Sequence, residues 1–124
     1  MKYYKTRLIT EPLQDGKSWR LEHNFVVFIP ELGDRVIPIA FMTDFASIPR
    51  LFRTLIASPA TGKHRYAAVV HDYLYKKQEI TRSQSDSTFL TLMLNDGVNR
   101  FLAYNMYYAV KVFGWIQWNR KKDF

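Results

Sequence analysis

The sequence predicts an α+β fold: a small antiparallel sheet from roughly the first forty residues, packed on a C-terminal layer of three to four helices. Two observations carry this reading. The apolar pattern changes near residue 48 from period two to helical spacing. Turn signals punctuate the first part, whereas capping signals punctuate the second.

Residues 2–9 read as a first strand, and QDGK at 14–17 as a turn. From Trp19 the positions Trp19, Leu21, His23, Phe25, Val27 and Ile29 share one face, with Arg20, Glu22 and Asn24 opposite, so a second strand is expected. It becomes apolar on both faces at Val26 and Phe28. Pro30 and the turn ELGDR end it. VIPIAF, from Val36 to Phe41, reads as a third strand of the same sheet, with Pro38 marking an edge or a bulge.

MTDFASIPR leads into an expected short helix over about 49–56, with Pro49 in the first turn, where a missing N–H costs nothing. SPATGK is a loop. A helix from about His64 to Lys77 carries Ala67, Ala68, His71, Leu74 and Tyr75 on one stripe. Thr81 can cap the next helix with Gln84 at the reciprocal capping-box position, and Gly97 can terminate it. Asp86, Phe89, Leu90 and Met93 form its inward stripe. The last segment, Val98 to Trp118, is apolar on nearly every side and ends in NRKKDF.

A chain of 124 residues, 48% hydrophobic and 16% aromatic, has material for one core, so residues 1–124 are expected to form a single domain. The absence of cysteine excludes disulfides and cysteine-ligated zinc, and favours an intracellular origin. MKYYKTRLIT has no apolar stretch behind its lysines and does not read as a signal peptide. The net charge of +7 suits anionic partners such as nucleic acid, phospholipid or cell-wall polymer, or is simply a solvated basic surface. No helix-turn-helix, zinc or glycine-rich signature supports nucleic acid, which is therefore not the expected partner.

His71 and Asp86 are each the one strongly polar residue on an apolar stripe, at similar distances from a short helix–helix connection. Two such helices pack antiparallel and bring these positions level. Burying either group alone costs several kcal/mol, whereas a His–Asp hydrogen bond satisfies both. A His71–Asp86 contact is expected. A carboxylate on one imidazole nitrogen fixes the tautomer and leaves the other free to take a proton from water. Asp72 is turned by about 100° around the helix and so flanks the imidazole, placed for a cation or an oriented water.

The pattern His71-Asp72-x-x-Tyr75, with Asp86 on the following helix, resembles the core of the calcium-dependent, secreted-type phospholipase A enzymes. The resemblance implies that His71 activates a water, Asp72 holds calcium, and Tyr75 and Asp86 support His71. The chain departs from that family in having neither its disulfides nor its glycine-rich calcium loop; TDFASIPR stands before the helix instead. Asp44, Thr43, Ser47 and loop carbonyls are the oxygens that could complete a site for calcium or another divalent cation.

A wider resemblance rests on Ala40-Phe41-Met42 followed by TDFASIPR (Thr43 to Arg50), on AAVVHDYLY, and on Arg82, Asp86 and Phe89 in an Arg-x-x-x-Asp-x-x-Phe pattern. These are similar to an uncharacterised family of short proteins encoded by tailed bacteriophages and prophages. That resemblance implies a phage origin, with the protein in the virion or the cytoplasm of the infected host, and brings no activity with it.

The expectations are therefore a hydrolase acting on a lipid ester through His71, Asp86 and Tyr75, with Asp72 and Asp44 as metal ligands. The alternative is a virion component, such as a tail or tail-tip protein, in which the same residues form a structural network. A binder of a host protein is a third class. His23 and His64 have no polar company and read as structural or exposed. The segment 98–118 contains Asn99, Arg100, Asn105 and Lys111, which argues against a membrane span and for a buried core helix. Trp115, Trp118, Arg120, Lys121 and Lys122 suit an anionic membrane surface or, equally, a protein partner: another virion protein or a second copy of the chain.

Overall fold

The computed structural model describes residues 3–15, 18–43 and 63–121. It is α+β. Among the described residues five short strands, β1 (Thr10–Pro12), β2 (Trp19–Leu21), β3 (Phe25–Ile29), β4 (Gly33–Ile37) and β5 (Met42–Thr43), precede three helices, α1 (Arg65–Lys77), α2 (Arg82–Asn95) and α3 (Arg100–Lys121). The strands form two antiparallel ladders, β1-β2-β5 and β3-β4. The short helix expected over 49–56 lies outside the described residues.

The first strand is at 10–12 rather than 2–9. Residues 3–9 run beside β3 through the single bridge Tyr4–Val27, with Lys5 N–H donating to the Val26 carbonyl and Phe28 N–H to that of Tyr3. Side chains fasten this segment as well. The Tyr66 hydroxyl accepts from the Leu8 N–H, and Tyr4 donates to the Asp96 carboxylate at 2.6 Å.

The expected second strand is broken in two. Its period-two face is real, since Leu21, Phe25, Val27 and Ile29 are buried, but Glu22–Asn24 bend the chain and leave His23 exposed. β2 therefore pairs with β1 and β5, while β3 pairs with β4 in the register Phe25–Ile37 to Ile29–Gly33. Gly33 at φ +81° makes the tight return possible. The expected third strand also splits. Pro38 accepts from Phe41 N–H in a turn that holds Ala40 at φ 74°, so 33–37 joins one ladder and 42–43 the other.

α1 is buried well beyond one stripe: every residue from Ala67 to Tyr75 is inside. It is the central element, with the strands on one side and α2 and α3 on the other. Phe25 packs edge-on against Tyr66, and Phe41 against Tyr73. α2 begins with the expected capping box, in which Thr81 and Gln84 satisfy each other's backbone N–H groups. Its inward face is Phe89, Leu92 and Met93, whereas Leu90 is only half-buried. The carbonyls at its end are met by Asp96 and by Gly97 at φ +84°.

α3 is not the buried core helix that its composition suggests. Ala103, Met106, Ala109 and Val110 pack inward, but Phe101, Tyr108, Val112, Phe113 and Trp115 are each more than half exposed. Among the described residues, no helix is long and apolar enough to cross a membrane.

Candidate functional site

Gln78 ends α1 in the left-handed conformation, with its N–H on the Leu74 carbonyl, and three more residues reach the start of α2. This tight connection sets α1 and α2 antiparallel and places Asp86 opposite His71 and Tyr75. His71 Nε2 lies 2.8 Å from Asp86 Oδ1, and the Tyr75 hydroxyl donates to the same oxygen at 2.6 Å. The His71 and Asp86 side chains are 3% and 2% exposed, so the contact between them is shielded from bulk solvent.

A carboxylate can only accept, so the proton of a neutral imidazole sits on Nε2 and points to Asp86. Nδ1 is then a bare lone pair. It is buried and has no hydrogen-bond partner among the described residues. The ring is held between Tyr75, at 4.2 Å between centroids, and Phe89, at 4.6 Å. Burial, and then the Asp86 carboxylate, push the Tyr75 phenol up from its ordinary value, which keeps it a protonated donor.

Arg82, one turn before Asp86, brings its guanidinium to 3.7 Å from Asp86 Oδ2. It also donates to the Lys111 carbonyl at 3.1 Å and the Val110 carbonyl at 3.4 Å, and so ties α3 to the pair. α3 closes the site from above Tyr75. Trp118 stands edge-on to the Tyr75 ring at 5.2 Å, and its carbonyl accepts from Gln78 Nε2 at 2.8 Å. Gly114 faces the Tyr75 hydroxyl so closely that a Cβ there would overlap it.

Asp72 is also buried, and Thr43, the first residue of TDFASIPR, donates its hydroxyl to Asp72 Oδ2. Asp72 is thus turned away from the His71 pair and toward the strands. Calcium needs six to eight oxygens. Asp44 and Ser47 lie outside the described residues, and Thr43 uses its proton on Asp72. Among the described residues no group of three or more His, Asp or Glu side chains could hold a metal ion.

The structure brings His71, Tyr75 and Asp86 together and sets Asp72 beside them on a separate contact. The surface residues divide. Trp115 is exposed, whereas Trp118 is half-buried against Tyr75 and is part of the site's cover. Arg120 is exposed; Lys122 and the Lys121 side chain lie outside the described residues. His64 is buried with Nε2 unpartnered among the described residues, and burial lowers its pKa to about 4. It is remote in role, at the start of α1.

Sequence reasoning gave three members no place in this site. Arg82 was readable from its i,i+4 spacing to Asp86. Gly114, a lone glycine inside an apolar helix, signalled a close approach. Trp118 as a cover on Tyr75 had no local signal, because the contact joins α3 to α1.

No solved structure matches this chain. Two proteins of Sinorhizobium fredii are similar to it. The uncharacterized protein y4jT is 33% identical over 78 residues, 63% of this chain and 23% of its own length. The uncharacterized protein y4iH is 35% identical over 72 residues, 58% of this chain and 30% of its own length. The chain therefore spans less than a third of either relative. A family described as "Protein of unknown function (DUF1353)" matches residues 19–110, a stretch that holds His71, Asp72, Tyr75, Arg82 and Asp86 and stops short of Trp115 and Trp118. With most of its length inside that match, the chain belongs to the DUF1353 family.

Proposed function

We propose that the protein is an ester hydrolase in which His71 activates water, acting on lipid esters. The observation that carries this reading is the buried, unpartnered Nδ1 of an imidazole whose other nitrogen is fixed on a carboxylate. Such a nitrogen is a ready proton acceptor. Water bound there would lose a proton to Nδ1 as its oxygen attacks the ester carbonyl. On collapse of the tetrahedral intermediate, His71 would return that proton to the departing alkoxide. Asp86 stabilises the imidazolium formed between these steps, and Tyr75 and Arg82 hold Asp86 in place. A divalent cation at Asp72, which the phospholipase resemblance implies, would take its other oxygens from outside the described residues, Asp44 among them.

A tailed-phage or prophage origin is proposed on TDFASIPR and HDYLY. With it goes a second reading, a virion component in which the same groups lock the core. The near-complete burial of His71 and Asp86 favours this one.

One experiment separates the two. Purified protein is incubated with anionic liposomes, with and without calcium, and released fatty acid is measured by mass spectrometry. Release by wild type that is lost in His71→Ala, and a calcium requirement lost in Asp72→Asn, support the hydrolase. Wild type no better than His71→Ala, with Asp86→Asn changing only the melting temperature, leaves the structural reading.

A further inference from the structure

α3 presents a surface that the hydrolytic site does not use. On a helix of 3.6 residues per turn, Phe101, Tyr108, Val112, Trp115 and Ile116 fall within an arc of about 100°, a stripe roughly 22 Å long in which Asn105 is the one polar residue. They are 76%, 56%, 60%, 54% and 40% exposed. The opposite side of the helix, with Ala103, Met106, Val110 and Gly114, packs inward. α3 is therefore two-sided, and its outer apolar side is exposed.

Its charges are of one sign. The 22 residues of α3 include Arg100, Lys111, Arg120 and Lys121 and no Asp or Glu. Arg100 and Lys111 flank the stripe on one side and Arg120 on the other, at about 80–100° from its centre. Arg100 lies over the Tyr104 ring and Lys111 over that of Tyr107, which keeps both cations at the border of the stripe. Among the described residues, none of Arg100, Lys111 and Arg120 pairs with a carboxylate.

We infer that α3 is an interfacial helix that lays this stripe flat on an anionic lipid bilayer. An apolar stripe with cations along both borders complements acyl chains flanked by negative headgroups. A tryptophan in the stripe suits the same boundary. A second copy of the chain is the poorer occupant, because pairing two such stripes sets cations against cations. The docking stands apart from the hydrolytic reading, since no stripe residue touches His71 or Asp86. If both hold, docking supplies the substrate class: an ester of a bilayer lipid.

The test uses the full chain and vesicles of phosphatidylglycerol mixed with phosphatidylcholine, or of phosphatidylcholine alone, read by co-sedimentation and by the blue shift of tryptophan emission. The expected result is binding to the phosphatidylglycerol vesicles that weakens with salt and is at least tenfold weaker on phosphatidylcholine. Val112→Asp, and separately Lys111→Glu with Arg120→Glu, should each weaken it tenfold or more. These are exposed positions, and unchanged thermal melting confirms that each variant is folded. No binding at low salt, or equal binding to neutral vesicles, overturns the inference. So does a dimer in sedimentation velocity that Val112→Asp dissociates, which gives the stripe to a second copy. No readout depends on turnover, so an inactive protein that still binds leaves the docking intact and removes only the hydrolase.

Discussion

Gly114→Ala adds one methyl group at the point where α3 meets the site. That carbon would overlap the Tyr75 hydroxyl and come within 3.3 Å of Tyr75 Cζ and Arg82 Nη1. Tyr75 can yield only by giving up its 2.6 Å hydrogen bond to Asp86. Losing a buried hydrogen bond to a charged acceptor costs about 1.5–3 kcal/mol. If α3 moves outward instead, overpacking of this kind costs about 1–3 kcal/mol. Against either stands the helix preference for alanine over glycine, about 1 kcal/mol. The balance is a net loss of up to about 2 kcal/mol, or up to roughly 8 °C in melting temperature for a domain of this size. Thermal unfolding followed by circular dichroism reads it. Tyr75→Phe removes the hydroxyl that the methyl would strike, so in that background Gly114→Ala should be neutral or stabilising. Equal effects of Gly114→Ala in both backgrounds would show that the hydroxyl is not what excludes a side chain there.

Three further outcomes are expected. Asp86→Ala strands two buried donors, His71 Nε2 and the Tyr75 hydroxyl, and should cost about 3–5 kcal/mol in urea unfolding; a loss below 1 kcal/mol contradicts the network. Thr43→Val keeps the shape of the side chain but removes its hydrogen bond to Asp72, for an expected loss of about 1.5–3 kcal/mol, and an unchanged urea midpoint would refute it. The third concerns acid. Burial holds His64 at about 4 in the folded chain against 6.5 unfolded. Between those values the unfolded chain binds a proton that the folded one does not, so stability falls as pH drops through this window, by up to about 3 kcal/mol. Asp96, raised by burial, pulls the other way but is common to wild type and variant. From pH 7 to 4.5 the wild type should therefore lose more stability than His64→Gln, and parallel losses would exclude His64 as the cause.

The helical half was legible because its signals are local. A capping box at Thr81 and Gln84, a left-handed glycine at 97 and polar residues on apolar stripes all act within a few positions, and the His71–Asp86 contact followed from a short connection. The sheet was less legible. Period two from Trp19 to Ile29 marked the correct inward residues but could not reveal the bend at Glu22–Asn24, because a strand that changes partners keeps its alternation. The exposure of α3 escaped composition for a similar reason: apolar residues on every side look like a core helix until one sees that Val112 and Trp115 are exposed. Residues 3–9 misled because they meet β3 only around the Tyr4–Val27 bridge, while Tyr4 and Leu8 are also held by Asp96 and Tyr66 of the helical half.

That anchoring bears on how the chain assembles. Tyr4 and Asp96 are 92 positions apart and meet in a 2.6 Å hydrogen bond, while α1, α2 and α3 follow one another through short connections. Contacts between distant positions form slowly because the chain must first close a long loop, at an entropy cost that grows with its length. The helices with the His71–Asp86 pair can therefore form early, and the leading segment is set down late on a surface already made. Native-state amide hydrogen exchange should accordingly find residues 3–9 opening at a lower free energy than α1.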